Sequence, residues 1–486
     1  MKKIFISAFA ASMLLFTYSC NSDFENDVTE IAVSKGNADF TKYVALGNSL
    51  TSGYRDGALY IDGQNESYPN MIAAQMKLAG GGEFKQPLMA DNLGGIPGVL
   101  ANKLVLAVDA SGSLGPVVAG GSGTTTLASI YGSGPYQNMG VPGAKSFHLV
   151  ADGYGNAAGV KDGKANPYFV RFASSGTTSV LKDAMAQKPT FFSLWIGNND
   201  VLSYATSGGS GKDQTGNMNP ATYGGNDITD PKVYASVIKS ILDGMKAAGA
   251  TKGVLANIPN VTSIPFFTTV PAKPIAGLTD AQVTALNTAY AKYNGGLALA
   301  KAAGAIKDAE YQQRLIKFTG GAVANGAVIE DKDLTDLSAL GLPSYRQTTS
   351  ADFILLTTAA ALKTGGGTQT PLTNAQVLTE KETSRVLTAT AAYNASLSQL
   401  AAAYGLALVD ANSKMVQLSA ASGLQFDGVK YNTTFVTGGA FSLDGVHLTG
   451  RGYAVIANEF ISAINSTYGS NLPKVEVNKY SGVTFP

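Results

Sequence analysis

The twelve residues KYVALGNSLTSG (42–53) decide the fold class. Lys42-Tyr43-Val44-Ala45-Leu46 is apolar on nearly every residue and runs straight into Gly47, with Ser49 two positions on. The same grammar returns in TFFSLWIGNND (190–200), where the run Thr190 to Ile196 breaks at Gly197 and Asn199 follows. Runs without polar alternation are the pattern of strands covered on both faces in a parallel sheet. Two further strand–helix alternations follow. Asp230-Pro231 is an N-cap and N1 pair opening a helix with Val233, Val237, Ile238, Ile241, Leu242 and Met245 at helical spacing, and Gly249 suits its C-terminus. Gly253 to Ile258 reads as the next strand. Later, Val386, Tyr393, Leu397, Leu400 and Tyr404 mark one helix face ended by Gly405, and Leu406 to Val409 makes a short buried strand. A last helix starts at Thr449. The alternation predicts a doubly wound α/β fold with ligands at the carboxyl ends of the strands, where Ser49 and Asn199 fall.

Composition narrows the function. Of 486 residues 45% are hydrophobic, ample for a core. Only 14% are charged and the formal net charge is +1. No Lys/Arg cluster follows the first residues, which argues against a nucleic-acid partner. The N-terminus reads as an export signal: Lys2 and Lys3 precede the apolar run Ile4 to Phe16, too short for a comfortable membrane span. It ends at Tyr18-Ser19-Cys20, and Cys20 is the only cysteine. A small residue before a lone Cys at this place resembles the lipobox of bacterial lipoproteins, with Thr17 where that motif usually has Leu. The expectation is lipidation at Cys20 and an exported protein held at the outer or cell membrane, on its periplasmic or extracellular face. An ordinary signal peptide with Cys20 incidental is the alternative.

Residues 1–20 are thus expected to be the signal peptide, 21–38 a flexible tether, 39–470 one domain and 471–486 a C-terminal tail. The catalytic candidates lie too far apart for a minimal core, so insertions are expected at about 80–135 (irregular), 203–228 (a polar loop) and 262–372. The last holds a helix from Thr279 to Tyr293 opened by a Thr279-x-x-Gln282 capping box, and Thr373-x-x-Gln376 repeats that start signal.

A serine hydroxyl needs a base to become a nucleophile. The chain has two histidines. His447 has Asp444 three residues earlier to orient it, whereas His148 has no such carboxylate and reads as a structural or surface residue. Attack on an ester carbonyl creates an oxyanion that needs preorganised donors. Gly143 offers a backbone N–H, Asn199 a side-chain amide and Ser49 its own N–H. Taken singly each has a plainer reading: Ser49 as a turn or cap residue, Asn199-Asp200 as a turn, with Asp200 tying down its loop. No G-x-S-x-G elbow occurs, which disfavours the α/β-hydrolase fold.

As an ordered set the blocks resemble the SGNH hydrolases, also called the GDSL lipase/esterase family. The family's Ser, Gly, Asn and His match Ser49 in GNSLTSG, Gly143 in NMGVPGAKS, Asn199 in GNND and His447 in DGVHLT, with Asp444 as third triad member. Asn48 stands where the family name has Asp. The resemblance covers about half the chain. It implies a three-layer α/β/α, flavodoxin-like fold with a five-stranded parallel sheet, here carrying mostly loop and helical insertions. It also implies an acyl-enzyme mechanism without metal or organic cofactor. The expected partners are a small or polymeric ester and, through the lipid anchor, a membrane. The rival readings are a carbohydrate O-acetyl esterase and a non-catalytic surface binding lipoprotein. Phe353 to Leu356 in the large insertion is a candidate acyl-pocket lining, with plain burial as the alternative.

Overall fold

The computed structural model describes residues 32–108 and 112–486. The signal segment, Cys20 and the tether up to residue 31 lie outside the described residues. The apolar runs form a sheet of five strands: β1 (Tyr43–Gly47), β2 (Asn138–Gly140), β3 (Phe191–Trp195), β4 (Lys252–Ala256) and β5 (Ala407–Val409). Every pairing is parallel and the spatial order is β2-β1-β3-β4-β5. This is the flavodoxin-like winding, whose direction reverses between β1 and β3. Strands β1 and β3 are buried at every residue, the reason their sequence shows no alternation. Strand β2 is the one that the sequence did not reveal: Asn-Met-Gly is three residues long and carries no β-branched side chain.

Helices cover both faces. The ones used below are α1 (Ser49–Ser52), α2 (Tyr68–Leu78), α3 (Val180–Ala186), α4 (Asn199–Thr206), α5 (Pro231–Ala247), α6 (Asp280–Ala302), α7 (Glu380–Tyr404), α8 (Ala411–Ser419) and α9 (Gly450–Tyr468). On one face Trp195 meets Tyr68 of α2 and Phe460 of α9, and Phe191 meets Tyr468 of α9. Helices α3, α5 and α7 pack together on the other. Asp230 caps α5 by accepting from the N–H groups of Lys232 (2.7 Å) and Val233 (3.0 Å), a cap worth about 1 kcal/mol. Gly405, left-handed, ends α7.

Several expectations are corrected. The tether is fixed from residue 32 onward in places: Asn37 N–H donates to Tyr468 O (2.8 Å) and Ala38 is buried. The tail is likewise docked, with Leu472, Val475 and Val477 buried. The stretch expected to be irregular carries an antiparallel strand pair, Leu104–Val108 with Leu114–Val118. Helix α6 keeps its Thr279 capping box but runs nine residues past Tyr293, through Gly295-Gly296. Gly296 does not stop the helix because it serves packing: a Cβ there would lie 2.5 Å from a methyl of Leu342. Thr373 caps a single turn (Asn374–Gln376), and the long helix α7 takes its own box from Thr379 and Glu382. Leu286, Tyr290, Tyr293 and Leu297 of α6 pack with Ile316, Phe318 and Leu342, so this insertion has an apolar core of its own.

Candidate active site

The loop after β1 and the loop before α9 meet at the carboxyl end of the sheet. Asn48 caps α1 by accepting from Leu50 N–H (3.1 Å), which leaves Ser49 as the first helical residue rather than the cap. Asn48 Nδ2 also donates to Asn198 Oδ1 (3.4 Å), linking the loops after β1 and β3. The residue standing in place of Asp thus supports the turn with its oxygen and adds a cross-loop donor. Ser442 N–H donates to His447 O (2.8 Å) and Gly445 N–H to Ser442 O (3.0 Å). That tight turn puts Asp444 and His447 side by side. His447 Nδ1 lies 2.8 Å from Asp444 Oδ2, and Nε2 lies 2.8 Å from Ser49 Oγ, across 398 positions of sequence. The imidazole also packs on Tyr54, ring centres 4.6 Å apart.

Asp444 is heavily ligated. Its Oδ1 accepts from the N–H groups of Val446 (2.9 Å) and His447 (2.8 Å) and from Ser442 Oγ (3.1 Å); Oδ2 accepts from Gly57 N–H (2.9 Å). Burial alone would raise its pKa, but the imidazolium of His447 and these donors hold the carboxyl well below the usual carboxylate range. Sequence reasoning missed the source of the Gly57 donor. Arg55-Asp56-Gly57 forms a turn in which Asp56 (φ 55) and Gly57 (φ 74) are both left-handed. Asp56 N–H donates to Ser442 Oγ (2.9 Å) and Asp56 Oδ1 accepts from Leu443 N–H (3.0 Å). Behind this turn, Tyr60 donates to Asp56 (2.6 Å), Arg55 reaches Tyr60 (2.6 Å) and Glu66 (2.6 Å), and Arg55 also bonds Ser481 of the tail (2.7 Å). No short motif announces this network, since it joins residues from 55 to 481.

The oxyanion candidates are placed by their neighbours. Strand β2 lies beside β1 with Gly140 level with Gly47, and Val141 N–H donates to Gly47 O (3.0 Å), so the Gly143 turn follows at the height of Ser49. Gly143 is left-handed (φ 80), the reason for glycine here, since a Cβ would meet nothing within 4 Å. Asn199 Nδ2 donates to Ala144 O (2.9 Å), and Asn166 Nδ2 to Pro142 O (2.7 Å), pinning the turn from both sides. An amide nitrogen carries two hydrogens, so Asn199 keeps one to offer. The N–H groups of Ser49 and Gly143 make no hydrogen bond among the described residues. Asp200 ties the loops as its position suggested: it accepts from Ser146 N–H (2.8 Å) and Oγ (2.7 Å), and burial raises its pKa despite those bonds.

His148 stands apart. Its Nδ1 accepts from Lys145 N–H (3.0 Å) and its ring stacks on Tyr154 at 4.6 Å. Burial, with Lys145 adding to it, lowers its pKa to about 4. A neutral imidazole filling an aromatic wall is a structural residue.

A pocket of about 90 Å³ opens beside Ser49, Asn199 and His447. Gly143 is not among its walls, and neither is any residue of Phe353 to Leu356; Ile354 and Leu355 of that stretch are buried elsewhere.

No family model matches the chain, and no curated protein does. Solved structures similar to it include an extracellular lipase from Streptomyces rimosus (12% identity, 88% of this chain and 99% of that chain, TM-score 0.32). Another is LAE5, an alpha/beta hydrolase enzyme from the metagenome of Lake Arreo, Spain (10%, 88% and 97%, TM-score 0.30). A third is a mutant of Axe2, an acetyl-xylooligosaccharide esterase from Geobacillus (10%, 88% and 96%, TM-score 0.30). The fold assignment rests on the sheet topology itself.

Proposed function

We propose that this protein is a serine hydrolase of carboxylic esters, with an SGNH-type site. The observation that carries the reading is the unbroken line from Ser49 Oγ through His447 to Asp444, at 2.8 Å for each contact. His447 Nε2 takes the hydroxyl proton while Ser49 Oγ forms a bond to the ester carbon and the carbonyl π pair moves to oxygen. The N–H groups of Ser49 and Gly143 and the Asn199 amide meet that oxyanion. Asp444 keeps the Nδ1 proton in place and stabilises the imidazolium. The intermediate collapses, the alcohol leaves with the proton from His447, and Ser49 remains acylated. Water, deprotonated by the same histidine, attacks the acyl carbon; the bond to Ser49 Oγ then breaks, that oxygen takes the proton back from His447, and the acid is released. The four family positions and the flavodoxin-like strand order support the SGNH type.

Hydrolysis of p-nitrophenyl butyrate by the purified protein tests this. Ser49→Ala is expected to lower kcat at least about 10⁴-fold. Undiminished turnover in that variant overturns the mechanism, and inactivity of the parent protein on an ester panel favours a binding role. Export and lipidation at Cys20 belong to the same reading: metabolic labelling with a fatty acid should mark the parent protein and not Cys20→Ala, and an unlabelled parent removes the anchor.

A further inference from the structure

We propose that the pocket beside Ser49 holds the aliphatic acyl chain of the ester; this rests on the hydrolase reading above. The walls come from three separate elements. Val261 and Ile264 follow β4, Met415 and Leu418 lie on α8, and Val455 and Ile456 lie on α9, all of them buried. Core residues that line an opening beside a nucleophile form a preformed apolar slot, the usual build of a small-molecule site.

Two features select the ligand. The polar lining is almost confined to the reaction loops, Asn48, Ser49, Asn198, Asn199 and His447. The one further charged group, Lys414, is engaged by Glu459 (3.0 Å) and Gln417 (3.0 Å). Nothing there answers the hydroxyls of a sugar or a free carboxylate, and burying such groups unpaired is costly. The second is the order of events. The alcohol must leave and water must enter while the acyl group stays bonded to Ser49, so a slot walled by core residues suits the group that stays.

A substrate series reads this directly. With p-nitrophenol as the common alcohol, kcat/KM should rise from acetate to hexanoate by about two- to fourfold per methylene, the partly realised transfer of each CH₂. With acetate as the common acid, lengthening a linear alcohol from methyl to hexyl should change kcat/KM less than threefold. Leu418→Trp should lower the hexanoate-to-acetate ratio, and Met415→Ala should move the best chain to greater length, each checked for folding by circular dichroism. Calorimetric binding of hexanoate against acetate reads the slot without turnover, with hexanoate at least tenfold tighter. A flat acyl profile whose activity is still lost in Ser49→Ala overturns the chain assignment and leaves the hydrolase reading intact. A rise along the alcohol series instead of the acyl series overturns it too. Equal affinity for the two acids does the same even in a protein that hydrolyses no ester.

Discussion

Replacing Asp444 by Asn removes one charge and almost no volume, so its effect can be worked from the contacts. The carboxylate lies 2.8 Å from His447 Nδ1, and the charge centres of an imidazolium and this carboxylate are about 4 Å apart. At an effective dielectric of about 20 that pair is worth about 4 kcal/mol, felt chiefly once His447 takes the proton from Ser49. This corresponds to about 10³-fold in kcat. A tautomer effect adds to it. The Asn nitrogen falls on the Oδ2 side, facing Gly57 N–H and His447 Nδ1, or on the Oδ1 side, facing the N–H groups of Val446 and His447. Either way a donor opposes a donor, at about 1–3 kcal/mol of stability. On the Oδ2 side the amide also donates to Nδ1 and drives the imidazole proton to Nε2, where it blocks acceptance from Ser49. The expectation is a fall in kcat of about 10³- to 10⁴-fold with KM within about threefold. Steady-state kinetics on p-nitrophenyl butyrate, alongside urea denaturation to establish the folded fraction, measures both parts. A folded Asp444→Asn protein that keeps a tenth or more of the parent kcat would refute the orienting role derived for this residue.

Three other outcomes follow from the same contacts. Asn199→Ala removes the side-chain donor of the oxyanion site and should lower kcat about 10²- to 10³-fold with a smaller change in KM; an effect confined to KM contradicts the assignment. Asp56→Ala loosens the turn that carries Gly57 and Ser442, so kcat should fall about tenfold while Asp56→Asn, which keeps the acceptor for Leu443 N–H, recovers most of it; equal loss in both variants points to general destabilisation. His148 has a folded pKa of about 4 against about 6.5 when exposed, so the unfolded chain binds the proton more tightly between those values. Its contribution, about 3 kcal/mol at most, is present above pH 6.5 and is lost as pH falls towards 4; the parent should lose more stability than His148→Asn between pH 7.5 and 4.5 in urea titrations, and parallel losses would exclude it.

Much of the frame was legible beforehand. Strands β1, β3, β4 and β5, the capped starts of α5, α6 and α9 and the stop at Gly405 are local events, written in periodicity and in cap residues one to four positions apart. Asp444 and His447 could be read as neighbours because three residues of a tight turn separate them. Other readings failed where a distant contact overrode a local signal. Gly296 sits in a continuous helix with Leu342 filling the space where its Cβ would stand, and Thr373 capped only one turn although its box is complete.

By itself, then, the order of residues determined the parallel strand-and-helix class, the places where strands break into loops, and the short list of side chains fit for acyl chemistry. Tertiary structure alone decided that Ser49 comes within 2.8 Å of an imidazole 398 positions away, that Gly57 N–H from a distant turn donates to Asp444, and that six buried side chains from separate elements leave a slot between them. The reason is physical. Burial and capping act over a few residues and leave their period in the chain, whereas a meeting of distant loops depends on the winding order of the sheet and on the packing of whole helices, which no local pattern encodes.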